Sequence, residues 1–143
     1  MGHVKMFGVA LALLFVAYAF VLGPMPASAQ GRGAAGMPAG VQATKSAKGM
    51  MMLVGPKGLT LYTFARDTPG VSNCNGICAK NQPPLMAAAN ATPMGNWTIV
   101  TRQDGSKQWA YKGMPLYGRI TDRQPGDTTG DGLRFGDWKI AVP

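Results

Sequence analysis

The sequence predicts an all-β fold: a small antiparallel β-meander built from two related hairpin repeats, with a long disulfide-stapled loop. Three observations predict it. Beyond Gly49 the apolar residues fall in short runs separated by turns rich in Gly, Pro and Asp, and no run sustains a helical period. A G-x-x-L-Y segment occurs twice, at Gly58 to Tyr62 and at Gly113 to Tyr117. The aperiodic stretch over residues 66–96 contains both cysteines of the chain, Cys74 and Cys78, across an Asn-Gly pair. A chain of 143 residues has room for one domain of modest core.

In chain order, residues 1–29 read as a signal peptide. Lys5 supplies the positive n-region, residues 7–23 are an unbroken apolar run, and Ala27-Ser28-Ala29 offers the small–x–small pattern of a cleavage site. The competing reading is a retained membrane anchor. The run is at the short limit for a bilayer span, and Gly23, Pro24 and Pro26 break it just before the cleavage pattern, which favours removal. No cysteine lies near the site, so N-terminal lipidation is not available. Export to the periplasm or beyond follows, with no membrane span left after cleavage. Residues 30–49, made of Gly, Ala, Ser, Thr, Pro and Lys, read as a flexible leader.

The β domain is then expected over residues 50–143, with repeat one at about 50–84 and repeat two at about 97–143. Residues 50–54 and 59–64 read as a hairpin closed by Gly55-Pro56-Lys57-Gly58. Residues 97–102 and 107–111 form a second hairpin about Gln103-Asp104-Gly105-Ser106, Lys112-Gly113 turns the chain into a strand over 116–120, and a last strand covers 137–142. Residues 85–90 (LMAAAN) suit one or two helical turns. In an oxidising compartment Cys74 and Cys78 can reach disulfide distance, and closing so small a ring is worth about 2 kcal/mol in the loop-entropy model. A redox-active pair is the alternative, although C-x-x-x-C is not the C-x-x-C of thioredoxin-like enzymes and no strand–helix unit surrounds it.

Aligning the two G-x-x-L-Y segments also superposes Asp67 on Asp122, so each copy is followed five residues later by an aspartate. These residues resemble a bacterial secreted-repeat family described as predicted lipoproteins with a Y-x-(F/W/Y)-x-x-D motif. Tyr62-Thr63-Phe64-Ala65-Arg66-Asp67 fits the motif fully. Cys74-Asn75-Gly76-Ile77-Cys78-Ala79 with Pro83-Pro84 is similar to the family's C-x-G-x-C-A…P-P element, and residues 102–117 and 122–132 are similar to its central and closing blocks. Three positions depart from the pattern: Arg119 replaces an aromatic in the second copy, Gln82 stands where Trp usually precedes the proline pair, and the lipidation cysteine is missing. The resemblance implies a secreted β domain and brings no activity, since the family is described as of unknown function.

Composition excludes several chemistries. The only histidine, His3, lies in the signal segment, and all six acidic residues are Asp. A mature chain without His or Glu holds no Ser-His-Asp triad, Cys-His pair, histidine-ligated metal or glutamate base, so a non-enzymatic domain without a cofactor is expected. The net charge of +8 falls to +7 once Lys5 is removed, which suits an anionic envelope surface. The basic residues are spread along the chain without the aromatic interleaving of nucleic-acid binders, so no nucleic-acid partner is expected.

The candidate ligand-binding residues are Tyr62, Phe64, Asp67, Tyr117 and Asp122, lining a cleft between repeats that would take a small polar or cationic ligand. In the competing reading each Asp accepts a hydrogen bond from the Tyr of its own motif or from turn N–H groups, and holds the repeat together. Asp127 and Asp131 in PGDTTGDG are weak metal candidates, because clustered oxygens on a Gly-bearing loop suit calcium, but the EF-hand spacing is absent. The run Met50-Met51-Met52 alternates faces in a strand and so presents no joint thioether site. Three functions remain: an exported domain binding a small ligand or envelope component, a thiol–disulfide or metal-handling protein, and a structural envelope module.

Overall fold

The computed structural model describes residues 36–143; the expected signal segment and residues 30–35 of the expected leader lie outside it. The chain order is β1 (Gln42–Lys45), β2 (Met51–Val54), β3 (Tyr62–Phe64), α1 (Ile77–Asn81), β4 (Trp97–Thr101), β5 (Lys107–Tyr111), β6 (Met114–Pro115), α2 (Leu133–Gly136) and β7 (Trp138–Ile140). The strands form three small antiparallel sheets: β1 with β2, β3 with β7, and β4-β5-β6. No described helix is long and apolar enough to cross a membrane.

The leader ends earlier than its composition suggested. Residues 42–45 pair with β2, Ala43 opposite Leu53, and Val41 is fully buried in the core. Only Val41 and Ala43 are apolar there, too few to announce a strand; the partner strand supplies the hydrophobic surface. The expected hairpin of residues 50–64 survives as one bridge, Val54 with Thr60, because β2 takes β1 as its partner and β3 takes β7. Residues 85–90 are extended where they touch the core, Leu85 and Ala87 donating to Leu116 O and Lys107 O, so the helical expectation fails. The helical turn falls instead on residues 77–81, within the cysteine loop. The strand expected over 116–120 is reduced to Tyr117, bridged on both sides by Tyr62 and Pro84.

Lys112-Gly113 closes β5 onto β6 with both residues left-handed (φ 50° and 84°), the backbone that a two-residue hairpin loop demands. Lys57-Gly58 repeats it, with φ 71° at each residue. The duplication is therefore conformational as well as sequential.

Two rings of backbone hydrogen bonds lock the copies together. In the first, Leu61 N donates to Leu53 O (2.9 Å), Leu53 N to Ala141 O (2.8 Å) and Ala141 N to Leu61 O (2.8 Å). In the second, Leu116 N donates to Trp109 O (3.0 Å), Trp109 N to Leu85 O (2.8 Å) and Leu85 N to Leu116 O (2.8 Å). Leu61 and Leu116 occupy the same place in G-x-x-L-Y, and the third member of each ring comes from the end of the other repeat. Each copy thus completes its partner. Between the rings, Tyr62 and Tyr117 exchange a pair of backbone bonds of 2.8 and 3.0 Å.

Strand alternation at this junction separates two hydrophobic clusters. Leu61 and Leu116 point into one with Leu53, Leu85, Trp97 and Trp109. Tyr62, Phe64 and Tyr117 point into the other with Cys74 and Trp138.

Candidate functional site

The five residues put forward from sequence come together in the interior at the junction of the repeats, where Asp122 also borders a surface cleft. Tyr62, Phe64, Asp67, Tyr117 and Asp122 are all buried, with no more than 6% of any of them exposed. The pairing is also crossed. Tyr62 Oη donates to Asp122 Oδ2 (2.6 Å) and Tyr117 Oη donates to Asp67 Oδ2 (2.6 Å), so each tyrosine serves the aspartate of the other repeat. The turn after each tyrosine carries its own aspartate away from it, while the Tyr62–Tyr117 bridge brings the opposite aspartate within reach.

The two halves of the exchange are supported differently. Asp122 also accepts from Thr129 N (3.0 Å) and Thr129 Oγ1 (2.6 Å), and Gly130 N donates to Tyr62 Oη (3.3 Å). A Cβ at Gly130 would stand 2.9 Å from the Tyr62 ring, which explains a glycine there. Asp67 accepts from Asn73 N (2.7 Å) and sits at the end of a relay. Arg102 Nη1 donates to Ser72 Oγ (2.7 Å), Ser72 Oγ lies 2.7 Å from Tyr117 Oη, and the tyrosine hydroxyl donates to Asp67. Arg102 is itself buried and also donates to Gln108 Oε1, Cys74 O and Asn75 Oδ1.

Burial raises the Asp67 carboxyl above the usual carboxylate range, opposed by the Tyr117 and Asn73 hydrogen bonds and by the Arg102 charge. Burial, reinforced by the aspartate partner, raises both tyrosine hydroxyls far above 10.0 and keeps them as donors.

Cys74 and Cys78 are joined in a disulfide, with Cα atoms 5.2 Å apart. Cys74 is fully buried and its carbonyl is held by Arg102, so the staple anchors the loop to the relay. The weak metal candidates have other work. Asp127 Oδ2 accepts from Arg123 N (2.7 Å) and Gln124 N (3.1 Å), which lowers its carboxyl, and Asp131 Oδ1 accepts from Ile140 N (3.3 Å). Among the described residues no three His, Cys, Asp or Glu side chains converge as a metal set.

Arg119 and Gln82, the two departures from the family pattern, touch each other. With the Gln82 amide oriented to satisfy both neighbours, its oxygen accepts from Arg119 Nη1 (2.7 Å) and its nitrogen donates to Cys78 O (3.1 Å). Their counterparts across the repeat are Phe64 and Trp138, whose rings stack at 4.4 Å and 16°. One copy keeps an aromatic stack where the other has a polar pair.

Arg119 of that pair also lines a surface cleft of about 480 Å³ at the junction of the repeats. Leu59, Leu61, Leu85 and Ile120 give it an apolar floor, and Lys57, Arg119 and Arg123 supply three cations at its sides. Among the described residues the Lys57 and Arg123 side chains make no hydrogen bond or ion pair; the one ion pair is Arg66–Asp137 (2.8 Å). A larger cleft of about 600 Å³ beside α1 contains Arg102, but that guanidinium is committed to the relay. Sequence reasoning missed the junction cleft because its cations are far apart in the chain; Arg119 as an outlier from the motif was the available signal.

The fold and its crossed lock define a protein of duplicated, mutually completing β-repeats. Residues 43–86 and 98–141 match the model of a family described as a secreted repeat of unknown function, and the chain belongs to that family. The first match begins inside β1, in agreement with the strand found in the expected leader. No curated protein and no solved structure matches the chain significantly.

Proposed function

We propose that this secreted repeat protein is a non-enzymatic binding domain of the periplasm or cell exterior. Its ligand is a small envelope component carrying an anionic group on an apolar body. The observation that carries this reading is the junction cleft, where Lys57, Arg119 and Arg123 flank a floor of Leu59, Leu61, Leu85 and Ile120. Apolar floor and few convergent charges are the usual composition of a small-ligand site. Binding is favoured over catalysis because the cleft's carboxylate, Asp122, is engaged by Tyr62 and Thr129. The thiol–disulfide alternative is less favoured, since a fully buried Cys74 offers an incoming thiolate little access.

The test is a titration followed by backbone amide shifts, using n-octyl phosphate and n-octyl glucoside below their micellar concentrations. Octyl phosphate is expected to move the amides of Lys57, Leu59, Ile120 and Arg123, and to bind more tightly than the neutral glucoside. The variant K57A/R123A should lose about tenfold in affinity, or about 1.4 kcal/mol, without a change in melting temperature. Equal binding of the two probes, or an unaffected variant, would refute the proposal.

A further inference from the structure

We propose that the domain has a second ligand groove, the repeat-related counterpart of the first, for the same class of amphiphilic anion and with weaker discrimination for its charge. The inference rests on the binding reading above and extends it to a site of its own. A groove of about 280 Å³ lies between the Lys112-Gly113 turn and β7. Its walls correspond position by position to those of the junction cleft. Lys112 stands for Lys57, Met114 for Leu59, Leu116 for Leu61, and Ile140-Ala141 for Pro84-Leu85.

The correspondence extends to the backbone. Lys57 and Lys112 both adopt the left-handed conformation, at φ 71° and 50°, which is costly for a residue with a Cβ. Asn or Gly would fill such a turn position at lower cost. Both copies instead place a lysine there, and each lysine lines a groove with a largely apolar wall. In the second groove Lys112 Nζ lies 5.0 Å from the centre of the Tyr111 ring, and Lys139 on β7 adds another exposed cation with no hydrogen-bond partner among the described residues.

The grooves differ where the repeats differ. The place of Arg119 is taken by Phe64, which is buried against Trp138 and contributes no charge. The second groove is therefore smaller and holds two lysines, without a guanidinium able to bind a phosphate in two-pronged fashion. It should take the same probe through the apolar contact and one or two point charges, and should prefer the anionic headgroup by a smaller factor.

The experiment is the same titration of the complete mature protein, read at both sites. Octyl phosphate should move the amides of Thr63, Met114, Lys139 and Val142 in a second binding event, about tenfold weaker than the first. The variant K112A/K139A should abolish that event and leave the shifts around Lys57 and Arg123 unchanged; K57A/R123A should do the reverse. The ratio of glucoside to phosphate dissociation constants should be smaller at the second groove but above one. Saturation of the first groove with no response at the second overturns this inference and leaves the binding function standing. A response at the second groove that survives K112A/K139A, or that is equal for phosphate and glucoside, also overturns it. Silence at both grooves overturns the binding function itself.

Discussion

If the two Tyr-x-x-x-x-Asp motifs are joined across the repeats, mutational coupling must follow the crossed pairs and not the motifs. Removing the hydroxyl in Tyr117→Phe takes the 2.6 Å donor from Asp67 and a 2.7 Å partner from Ser72, both buried. A hydrogen bond to a charged group contributes about 1.5–3 kcal/mol, and the stranded carboxylate adds its own desolvation cost. We therefore expect about 2–3 kcal/mol for Tyr117→Phe. In a domain of this size that lowers the melting temperature by roughly 10 °C. The decisive measurement is a pair of double-mutant cycles by urea unfolding with the disulfide intact. Tyr117→Phe with Asp67→Asn should show an interaction energy of about 1–2 kcal/mol, within the range of directly bonded neighbours. Tyr117→Phe with Asp122→Asn, which share a motif but no hydrogen bond, should be additive to within about 0.5 kcal/mol. Stronger coupling within the motif than across the repeats would refute the exchanged lock.

Four further outcomes follow from the same geometry. Gly130→Ala should destabilise the fold and shift the Tyr62 ring resonances, because its Cβ would lie 2.9 Å from that ring; unchanged resonances and unfolding would contradict the close packing. The Asp67 carboxyl is raised in the folded state, so its contribution to stability is full below the unfolded value of 3.8 and is lost as pH rises through the folded value. Asp67→Asn should accordingly be most destabilising at acidic pH and least so at neutral pH in parallel melts, and the opposite trend would reject the assignment. The tyrosine hydroxyls are raised as well, so their contribution holds below pH 10.0 and decays above it as the unfolded chain ionises; Tyr62→Phe should flatten that alkaline loss in pH-dependent unfolding. Replacing both Cys74 and Cys78 by Ser should cost about 2 kcal/mol by the loop-entropy argument, read as a lower urea midpoint.

Much of this fold is written locally, and the duplication is legible as well, whereas strand partners distant in the chain were misread. Lys112-Gly113 and the hairpin of β4 and β5 follow from turn chemistry and alternation within about fifteen residues, and they stand where the sequence puts them. The disulfide was legible for the same reason, both cysteines lying on one short turn. The first hairpin was misassigned because residues 42–45 carry too little apolar character to announce a competing strand, whereas β2 pairs with them and Val41 joins the core that holds Leu53, Leu85 and Leu116. Residues 85–90 looked helical by propensity, yet Leu85 is claimed by a backbone ring with Leu116 and Trp109 that no local pattern announces. At the junction Tyr62, Asp67, Tyr117 and Asp122 do meet: each aspartate takes a turn N–H as expected, but the tyrosine it meets is that of the other motif. Motif spacing fixes what lies near in the chain, whereas the antiparallel bridge between the tyrosines decides which aspartate each hydroxyl meets.

Duplication with exchange also separates the positions where the two copies match from one where they differ. The two rings, the tyrosine bridge and the crossed hydrogen bonds each need both copies, so a change in one copy is felt by the other. Phe64 with Trp138, and Arg119 with Gln82, take no side-chain part in the crossed hydrogen bonds, although Trp138 packs edge-on against Tyr117. A single change there would strand one partner: an arginine against the Trp138 face, or an aromatic beside an unsatisfied Gln82. Both members differ together, stack for stack and hydrogen bond for hydrogen bond, as a site of coupled substitution requires. Arg119 of the polar pair also lines the larger of the two related grooves. Arg119→Phe with Gln82→Trp should therefore be tolerated as a pair and should leave the melting temperature within about 1–2 °C of the parent, while either change alone should lower it further. If the double variant is no more stable than the sum of the single changes allows, the two positions are independent and the exchange of a stack for a polar pair explains nothing about the groove.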